Sequence, residues 1–218
     1  ISVGNGSASN FSGSGDTYSA DITPDGNGDI TIDVAVNVAQ DGAGNGNTAA
    51  TQVSVSYDAT PPTVAIQNAP ATKNNTTAFS LTFQFSESVT GFAVGDISVG
   101  NGSASNFSGS GDTYSADIIP NGNGDITLDV AANVAQDGAG NGNTAATQVS
   151  VTYDATTPTV AIQNAPAIAN GNSAFIVTFK FSESVTGFAV GDISVGNGSA
   201  SNFSGSGDTY SADITPDG

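Results

Sequence analysis

Apolar and polar residues alternate along this chain with a period of two. In the clearest stretch, residues 79–85, an apolar side chain stands at every second position. The same alternation occurs at 112–119, 125–134 and 146–153. Successive side chains of a strand point to opposite faces, so this pattern predicts half-buried β-strands. No window keeps an apolar spacing of 3.6 residues for long, and we expect no long helix.

Turn-forming sequences divide the central part of the chain into seven predicted strands. Asn-Gly stands at 101–102 and 121–122, Gly-Ser-Gly at 109–111 and Gly-Asn-Gly at 140–142. The predicted strands are 63–68, 78–86, 96–101, 103–108, 112–119, 125–134 and 146–153. Seven short strands in about 100 residues are typical of an immunoglobulin-type β-sandwich. The disulfide and core Trp of that fold are missing, so we expect Phe83, Phe85 and Phe107 to fill the core.

The chain repeats itself every 96 residues. The string ISVGNGSASNFSGSGDTYSADI begins at Ile1, at Ile97 and at Ile193. Residues 1–96 and 97–192 are identical at 82 of 96 positions, and residues 193–218 repeat residues 1–26 without a difference. A period of this length suits one whole small domain, since about 100 residues can bury an independent core. The sequence therefore predicts tandem all-β sandwich domains.

The segment around Pro61 and Pro62 reads as a linker, because two prolines do not fit inside a paired central strand. Domain boundaries placed there give a partial repeat at 1–57 with the later strands, a complete repeat at 58–153, and a partial repeat at 154–218 with the first strands. We expect the 218 residues to be a window on a longer tandem array. In the first partial repeat, the apolar face that carries Val53 and Val55 is then expected to lie open.

Composition removes most function classes. Asp and Glu number 20 against two Lys, a formal net charge of −18, and the chain has no His, Cys, Met or Trp. Catalytic triads and zinc or thiolate chemistry are therefore impossible, and we expect no enzyme. The negative charge repels nucleic acid and anionic membrane surfaces, and the apolar runs are too short for membrane insertion.

Four strings resemble a known family. DATPPTVAI at 58–66, FSESVTGF at 85–92, GDISV at 95–99 and VAQDGAGN at 134–141 resemble the bacterial Ig-like repeats of giant surface adhesins and biofilm-associated proteins. The resemblance covers all 218 residues. It implies Ig-like sandwiches in tandem, exported to the bacterial cell surface or beyond. It also implies that these repeats act as an extender, while a separate terminal module binds the target.

Acidic side chains from separate segments are predicted to converge at the leading end of each domain, where alternate loops of a sandwich meet. Carboxylate and amide oxygens are the ligands of Ca²⁺, so we predict a calcium site at the domain junction. The candidate ligands are Asp58, Glu87, Asp96, Asp137 and Asn141, with Asp154, Glu183 and Asp192 as their second copies. An Asp beside Gly is also a common turn residue, so both interpretations stay open.

A weaker calcium candidate lies in the loop DGNGD, where Asp25, Asn27 and Asp29 resemble a short D-x-N-x-D loop. Turn usage explains this loop equally well, and its second copy begins with Asn121 in place of Asp25.

Three functions remain open from the sequence. The preferred one is a non-catalytic structural extender, or stalk, stiffened by calcium or by tight linkers. The alternatives are a filament or sheath assembled from other copies of the chain, and a weak multivalent module for cell-surface or matrix glycans. The expected partners are accordingly neighbouring repeats of the same chain, other copies, or glycans.

Overall fold

The computed structural model describes residues 1–74 and 77–217, and these are almost entirely β-structure. The described chain divides into two compact units, residues 1–155 and residues 156–218. The first unit holds the whole middle repeat and the partial repeat before it. Domain boundaries at 57/58 and 153/154 remain a prediction from the repeat.

Residues 1–57 form two separate small sheets. The five strands are β1 (Ser2–Gly4), β2 (Gly6–Ser14), β3 (Thr17–Pro24), β4 (Gly28–Asp33) and β5 (Val53–Tyr57). One sheet has the order β1-β4-β5, and the other is the hairpin β2-β3. Every pairing is antiparallel.

Residues 58–155 form a sandwich of two sheets. Its strands are β6 (Val64–Gln67), β7 (Thr72–Lys73), β8 (Phe79–Val89), β9 (Ile97–Gly100), β10 (Gly102–Pro120), β11 (Gly124–Val130) and β12 (Val149–Tyr153). One sheet has the order β10-β8-β6 and the other β7-β12-β11-β9. Neighbouring strands are antiparallel, except that β7 runs parallel to β12. The all-β sandwich expected from the alternation is confirmed.

The core of the middle repeat lies between the two sheets. Strand β8 supplies Leu81, Phe83 and Phe85, which are buried, while the residues between them are half-buried. Ile126, Leu128 and Val151 of the facing sheet are fully buried in the same cluster. The aromatic rings fill the volume that a disulfide and Trp occupy elsewhere, and Phe85, Phe107 and Tyr114 pack edge to face with Phe92. Phe107 is only partly buried, stacked on Tyr114 with ring centroids 5.7 Å apart.

Two predicted strands, 103–108 and 112–119, are the two arms of a hairpin that together make up β10, with extended structure continuing through the turn. The chain folds back on itself within this element, since Ser108 Oγ and Ser115 Oγ lie 3.0 Å apart. The turn needs glycine: Gly109 has φ +127°, and a Cβ there would lie 2.6 Å from the Tyr114 Cα. The same sequence forms two separate strands in the flanking repeats, so the prediction missed only the continuity at the turn.

Strand β11 ends at Val130 and not at residue 134, and β12 begins at Val149 and not at residue 146. The reason is local. Asn133 adopts a left-handed conformation with φ 62°, and the Asn143 side chain accepts hydrogen bonds from the backbone N–H groups of Val134 and Ala135. These groups are therefore unavailable for strand pairing. The two-residue strand β7 was not predicted, and residue 96 belongs to a short 3₁₀ helix, Val94–Asp96, that precedes β9.

Residues 156–218 form a single four-stranded sheet with the order β13-β14-β16-β15. Its strands are β13 (Val160–Gln163), β14 (Phe175–Phe181), β15 (Gly198–Ser206) and β16 (Thr209–Pro216), with a second 3₁₀ helix at Val190–Asp192. The buried residues Val177, Phe179, Tyr210, Ala212 and Ile214 form its apolar cluster. Residues 193–196 carry the sequence of β9 but form no strand, because β9 pairs with β11 and the described residues 156–217 contain no counterpart of β11.

Candidate metal and junction site

Three carboxylates meet at the leading end of the middle repeat. Asp58 follows β5 in the linker, Glu87 lies in β8, and Asp137 lies in the loop after β11. One oxygen from each lies within 4.8 Å of the others. Two oxygens that bind one Ca²⁺ at about 2.4 Å are at most about 4.8 Å apart, so the spacing is compatible with a single cation.

Asp137 is built into its loop. The residue is 6% exposed, and its Oδ1 accepts hydrogen bonds from the backbone N–H groups of Ala139 and Asn141, both at 2.8 Å. The Asn141 amide donates to its Oδ2 at 2.9 Å. Burial alone would raise the pKa of Asp137, but these hydrogen bonds together outweigh it and hold the pKa below its ordinary value. The carboxylate is therefore ionised at neutral pH.

Asn141 ties the loop to the linker. Its Nδ2 donates to the carbonyl oxygen of Asp58 at 3.1 Å as well as to Asp137. The predicted ligand Asn141 thus adjoins the cluster, but its amide nitrogen faces the acids and the linker.

The other predicted ligands lie elsewhere. Asp96 closes its own 3₁₀ turn, because its Oδ2 accepts a hydrogen bond from Ala93 N at 2.8 Å. Asp192 does the same with Ala189 N at 2.9 Å. Asp154 accepts from the Asn123 amide at 2.8 Å, and Glu183 is half-buried in the second unit. The described residues contain a single group of three metal-ligating side chains, which is the one at Asp58.

The weaker calcium candidate, the loop with Asp25, Asn27 and Asp29, stays a prediction. Asp25 donates its backbone N–H to Asn5 O at 3.1 Å, and Asp29 lies in β4 opposite Ser56. Neither residue joins the group at Asp58.

Asn27 bridges the first repeat to the linker that follows it. Its Nδ2 donates to Asp58 Oδ1 at 2.7 Å, and its Oδ1 accepts from Ala59 N at 2.9 Å. The same amide nitrogen lies 2.5 Å from Thr60 Oγ1. Sequence reasoning named Asn27 as a metal ligand and missed this bridge.

The second repeat builds the same bridge with Asn123. Its Nδ2 donates to Asp154 Oδ1 at 2.8 Å, and its Oδ1 accepts from Ala155 N at 3.0 Å. A sequence signal was present: the Asn stands in both copies, whereas Asp25 changes to Asn121. A role in the turn alone would not explain why Asn27 is kept in the second copy while Asp25 is replaced.

Among the described residues, no helix is long and apolar enough to cross a membrane. Comparison with curated proteins finds no match. Among solved structures, the crystal structure of invasin, described as a bacterial integrin-binding protein, is similar with a TM-score of 0.41 and 14% identity. The match covers 93% of this chain and 42% of invasin, so the chain spans less than half the length of that protein.

The family comparison is more direct. The model of the bacterial Ig-like domain matches residues 58–153 and again residues 154–218, in tandem and over well over half of the chain. Together with the two-sheet sandwich of the middle repeat, this shows that the chain belongs to the bacterial Ig-like domain family.

Proposed function

We propose that this chain is a non-catalytic spacer from an extracellular stalk of adhesin type at the bacterial cell surface. The repeats set a distance, and target binding is left to another module. The observation that carries the proposal is the bridged linker, which is built with the same residues after the first and the second repeat.

The near-identity of the repeats supports a spacer. Five of the 14 differences between copies fall close together in the sequence, at positions 72, 73, 75, 76 and 77. A binding module needs a particular set of side chains, whereas a spacer needs only the core and the junction. Leu81 and its counterpart Val177 show what is retained, since the swap keeps an apolar residue in the core.

The linker after the first repeat is held from both sides. Asn27 of the preceding repeat binds the side chain of Asp58, and Asn141 of the following repeat binds its backbone carbonyl. Hydrogen bonds from both neighbours restrict the backbone freedom that a flexible linker would have. This arrangement favours a stiff junction.

Calcium is the proposed stiffening ligand at the same junction. Asp58, Glu87 and Asp137 offer three carboxylates at a spacing that fits one ion, and neither Lys residue forms an ion pair with them in the described part of the chain. Like charges this close repel one another, and a divalent cation would relieve that repulsion. Extracellular modules with open sites bind Ca²⁺ at about 10⁻⁴–10⁻³ M, near the concentration outside cells.

Calorimetric titration and thermal melting with and without chelator test the calcium proposal. We expect a millimolar-range binding isotherm and a higher melting temperature for the middle repeat with Ca²⁺. Glu87→Gln should weaken binding, and Asp96→Asn, outside the group, should not. Equal melting in Ca²⁺ and chelator would remove calcium from the function while leaving the spacer proposal intact.

Small-angle scattering tests the bridged linker itself. The double variant Asn27→Ala/Asn123→Ala should broaden the distribution of interdomain distances while the middle repeat still melts as in the wild type. The matched control is Gln52→Ala/Gln148→Ala, which removes one side-chain amide–carboxylate bond from each repeat at positions away from the linker. A wild-type chain as flexible as the Asn double variant would contradict the spacer proposal.

A further inference from the structure

Nine Asn residues of this chain are followed directly by Gly. They are Asn5, Asn27, Asn45, Asn101, Asn121, Asn123, Asn141, Asn170 and Asn197. In such a pair the backbone nitrogen of the glycine can attack the side-chain amide carbon of the asparagine, because glycine has no Cβ to obstruct the approach. The sequence treats the nine pairs alike, whereas the structure distinguishes them.

Hydrogen bonds hold the side-chain amide of the Asn in six of the nine pairs. These six are Asn5, Asn27, Asn45, Asn101, Asn123 and Asn141. The Asn141 amide, for example, donates to the carbonyl oxygen of Asp58 and to Asp137 Oδ2. A held amide must break such bonds before its carbon can meet the glycine nitrogen, and a misplacement of reacting atoms by about 1 Å slows a reaction about 100-fold.

The other three pairs are those at 121, 170 and 197, and of these only Asn121–Gly122 lies in the complete middle repeat. Its backbone is fixed, since Asn121 N donates to Asn101 O at 3.1 Å and Gly122 O accepts from Asn101 Nδ2 at 2.7 Å. Within residues 1–74 and 77–217, neither the Asn121 side chain nor the Gly122 N–H has a hydrogen-bond partner. Asn121 is exposed, and a Cβ at Gly122 would meet no atom within 4 Å. The amide is therefore free to turn, and the approach to its carbon is open.

We propose that Asn121 is a site of spontaneous deamidation, where a neutral loop residue of the middle repeat becomes a carboxylate. The Gly122 nitrogen loses its proton to solvent and bonds to Asn121 Cγ, and the bond from Cγ to Nδ2 breaks and releases ammonia. Water then opens the five-membered ring at one of its two carbonyl carbons. Opening at Cγ gives an aspartate, and opening at the backbone carbonyl carbon gives an isoaspartate. One water is taken up and one ammonia is lost in either case.

The first repeat shows that an aspartate fits at this position. Residue 121 corresponds to Asp25. Asp25 N donates to Asn5 O at 3.1 Å, and Asn121 N makes the equivalent bond at the same distance. The Asn27 bridge to the linker is intact with Asp25 two residues before it. The aspartate product therefore gives the middle repeat the DGNGD loop of the first repeat without disturbing the bridge.

The isoaspartate product differs, because it adds one methylene to the main chain between the nitrogen of residue 121 and the carbonyl of Gly122. The two loop bonds to Asn101 lie on either side of this insertion. Immediately afterwards, Asn123 Oδ1 accepts the hydrogen bond from Ala155 N of the linker at 3.0 Å. A longer loop should displace Asn123 and weaken this bond. The two products of one reaction thus leave the linker either bound or loosened.

Peptide mapping by mass spectrometry tests the site. The full 218-residue chain is incubated in mildly alkaline buffer, once folded and once in urea. In the folded chain Asn121 should deamidate about tenfold or more faster than Asn141, since the Asn141 amide must first break two hydrogen bonds. In urea the two residues should react at similar rates. Similar rates in the folded chain, or a slower reaction at Asn121, would overturn the proposal.

Gly122→Ala tests the identity of the attacking nitrogen. The space around Gly122 accommodates the added Cβ, which should obstruct the attack and slow deamidation of Asn121 about tenfold or more. Gly26→Ala is the matched control, because it stands at the same loop position of the first repeat, also in open space, and should leave the rate at Asn121 unchanged. An unchanged rate in Gly122→Ala would contradict attack by the Gly122 nitrogen.

Hydrogen exchange of the Ala155 amide tests the effect on the linker. Exchange in Asn121→Asp should match the wild type, and exchange in the isoaspartate fraction of the aged chain, separated by chromatography, should be faster. Equal exchange in that fraction and in Asn121→Asp would overturn the loosening of the linker. The rates at Asn121 decide the site itself, and neither readout depends on the spacer function.

Discussion

The loop after β4 and the loop after β11 have the same sequence from residue 37 to 48 and from 133 to 144, but only the second lies against a complete core. Asn47 and Asn143 each accept two backbone N–H bonds and donate two bonds to carbonyls, at distances that agree within 0.1 Å. Asn37 and Asn133 share the same left-handed φ of 62°. The conformation of this loop is therefore determined by its own sequence and does not depend on contacts with a complete core.

The strands beside these loops behave differently. Val151 is fully buried because a second sheet covers it, while Val55, in the same strand position, is half exposed. Side-chain burial depends on residues that are distant in sequence, whereas the Asn-centred loop depends on neighbours within 12 residues. Identical sequences thus share their hydrogen bonds and differ in their packing.

The largest effect is expected at the buried Asn. Asn143 is 1% exposed, and Asn143→Ala removes the acceptor of the N–H groups of buried Ala135 and half-buried Val134 together with the donor to two loop carbonyls. We expect the free energy of unfolding of the middle repeat to fall by about 3 kcal/mol or more. Denaturant unfolding measures it.

Asn47→Ala is the comparison for that variant. It removes the same four bonds where water can replace them, so the unfolding of the middle repeat should not change. Hydrogen exchange of the Val38 and Ala39 amides should accelerate instead. Equal losses of middle-repeat stability for both variants would contradict the distinction between local and core contacts.

The next effect concerns packing. Val151→Ala should cost about 2–3 kcal/mol, because it removes two methyl groups from a fully buried position. Val55→Ala should change stability by less than about 0.5 kcal/mol, because Val55 is half exposed. Thermal melts of the two variants measure both losses, and a large loss at Val55 would contradict the exposure of its face.

A smaller effect on the stability of the middle repeat is expected at low pH. The pKa of Asp137 is lowered, so the ionised carboxylate stabilises the folded state above about pH 4, and this contribution is lost as pH falls through the folded pKa. The melting temperature of the middle repeat should fall below pH 4, and less steeply in Asp137→Asn.

The pKa of Asp41 is also lowered, chiefly by the Asn45 side chain, because its loop supplies the same donors. Carboxyl NMR titration should place both pKa values below the ordinary range. An ordinary pKa for Asp41 beside a lowered pKa for Asp137 would show that the loop conformation depends on the core.

The smallest effect is expected where the repeats differ in charge. Lys180 Nζ lies 2.6 Å from Asp208 Oδ2 in an exposed pair, and the middle repeat has Gln84 at the same position. Lys180→Gln should change stability by less than about 0.5 kcal/mol, since exposed ion pairs contribute little. Chemical denaturation at low and high salt checks this, and a loss above 1 kcal/mol would contradict it.

The alternation of residues 79–85 was enough to predict β8 and its buried face, because successive side chains of a strand point to opposite faces of the sheet. The convergence of Asp58 and Asp137 followed from strand order. The position of Asp96 did not, since a capping bond to Ala93 three residues away decides it. The presence of Asn in both copies indicated a role for Asn27 but not its partner, because the partner lies in the linker, 31 residues further along the chain.

The parallel pair β7–β12 has a mechanical consequence. Strand β12 leads into the linker at Asp154, and β7 follows soon after the linker at Asp58. Tension on the two linkers would pull these parallel strands in opposite directions along their length. The bonds from Thr152 N to Ala71 O and from Asp154 N to Lys73 O would then be loaded in shear together and not broken one after the other. Under tension, the hydrogen bonds of β7, the shortest strand of the domain, would thus resist unfolding.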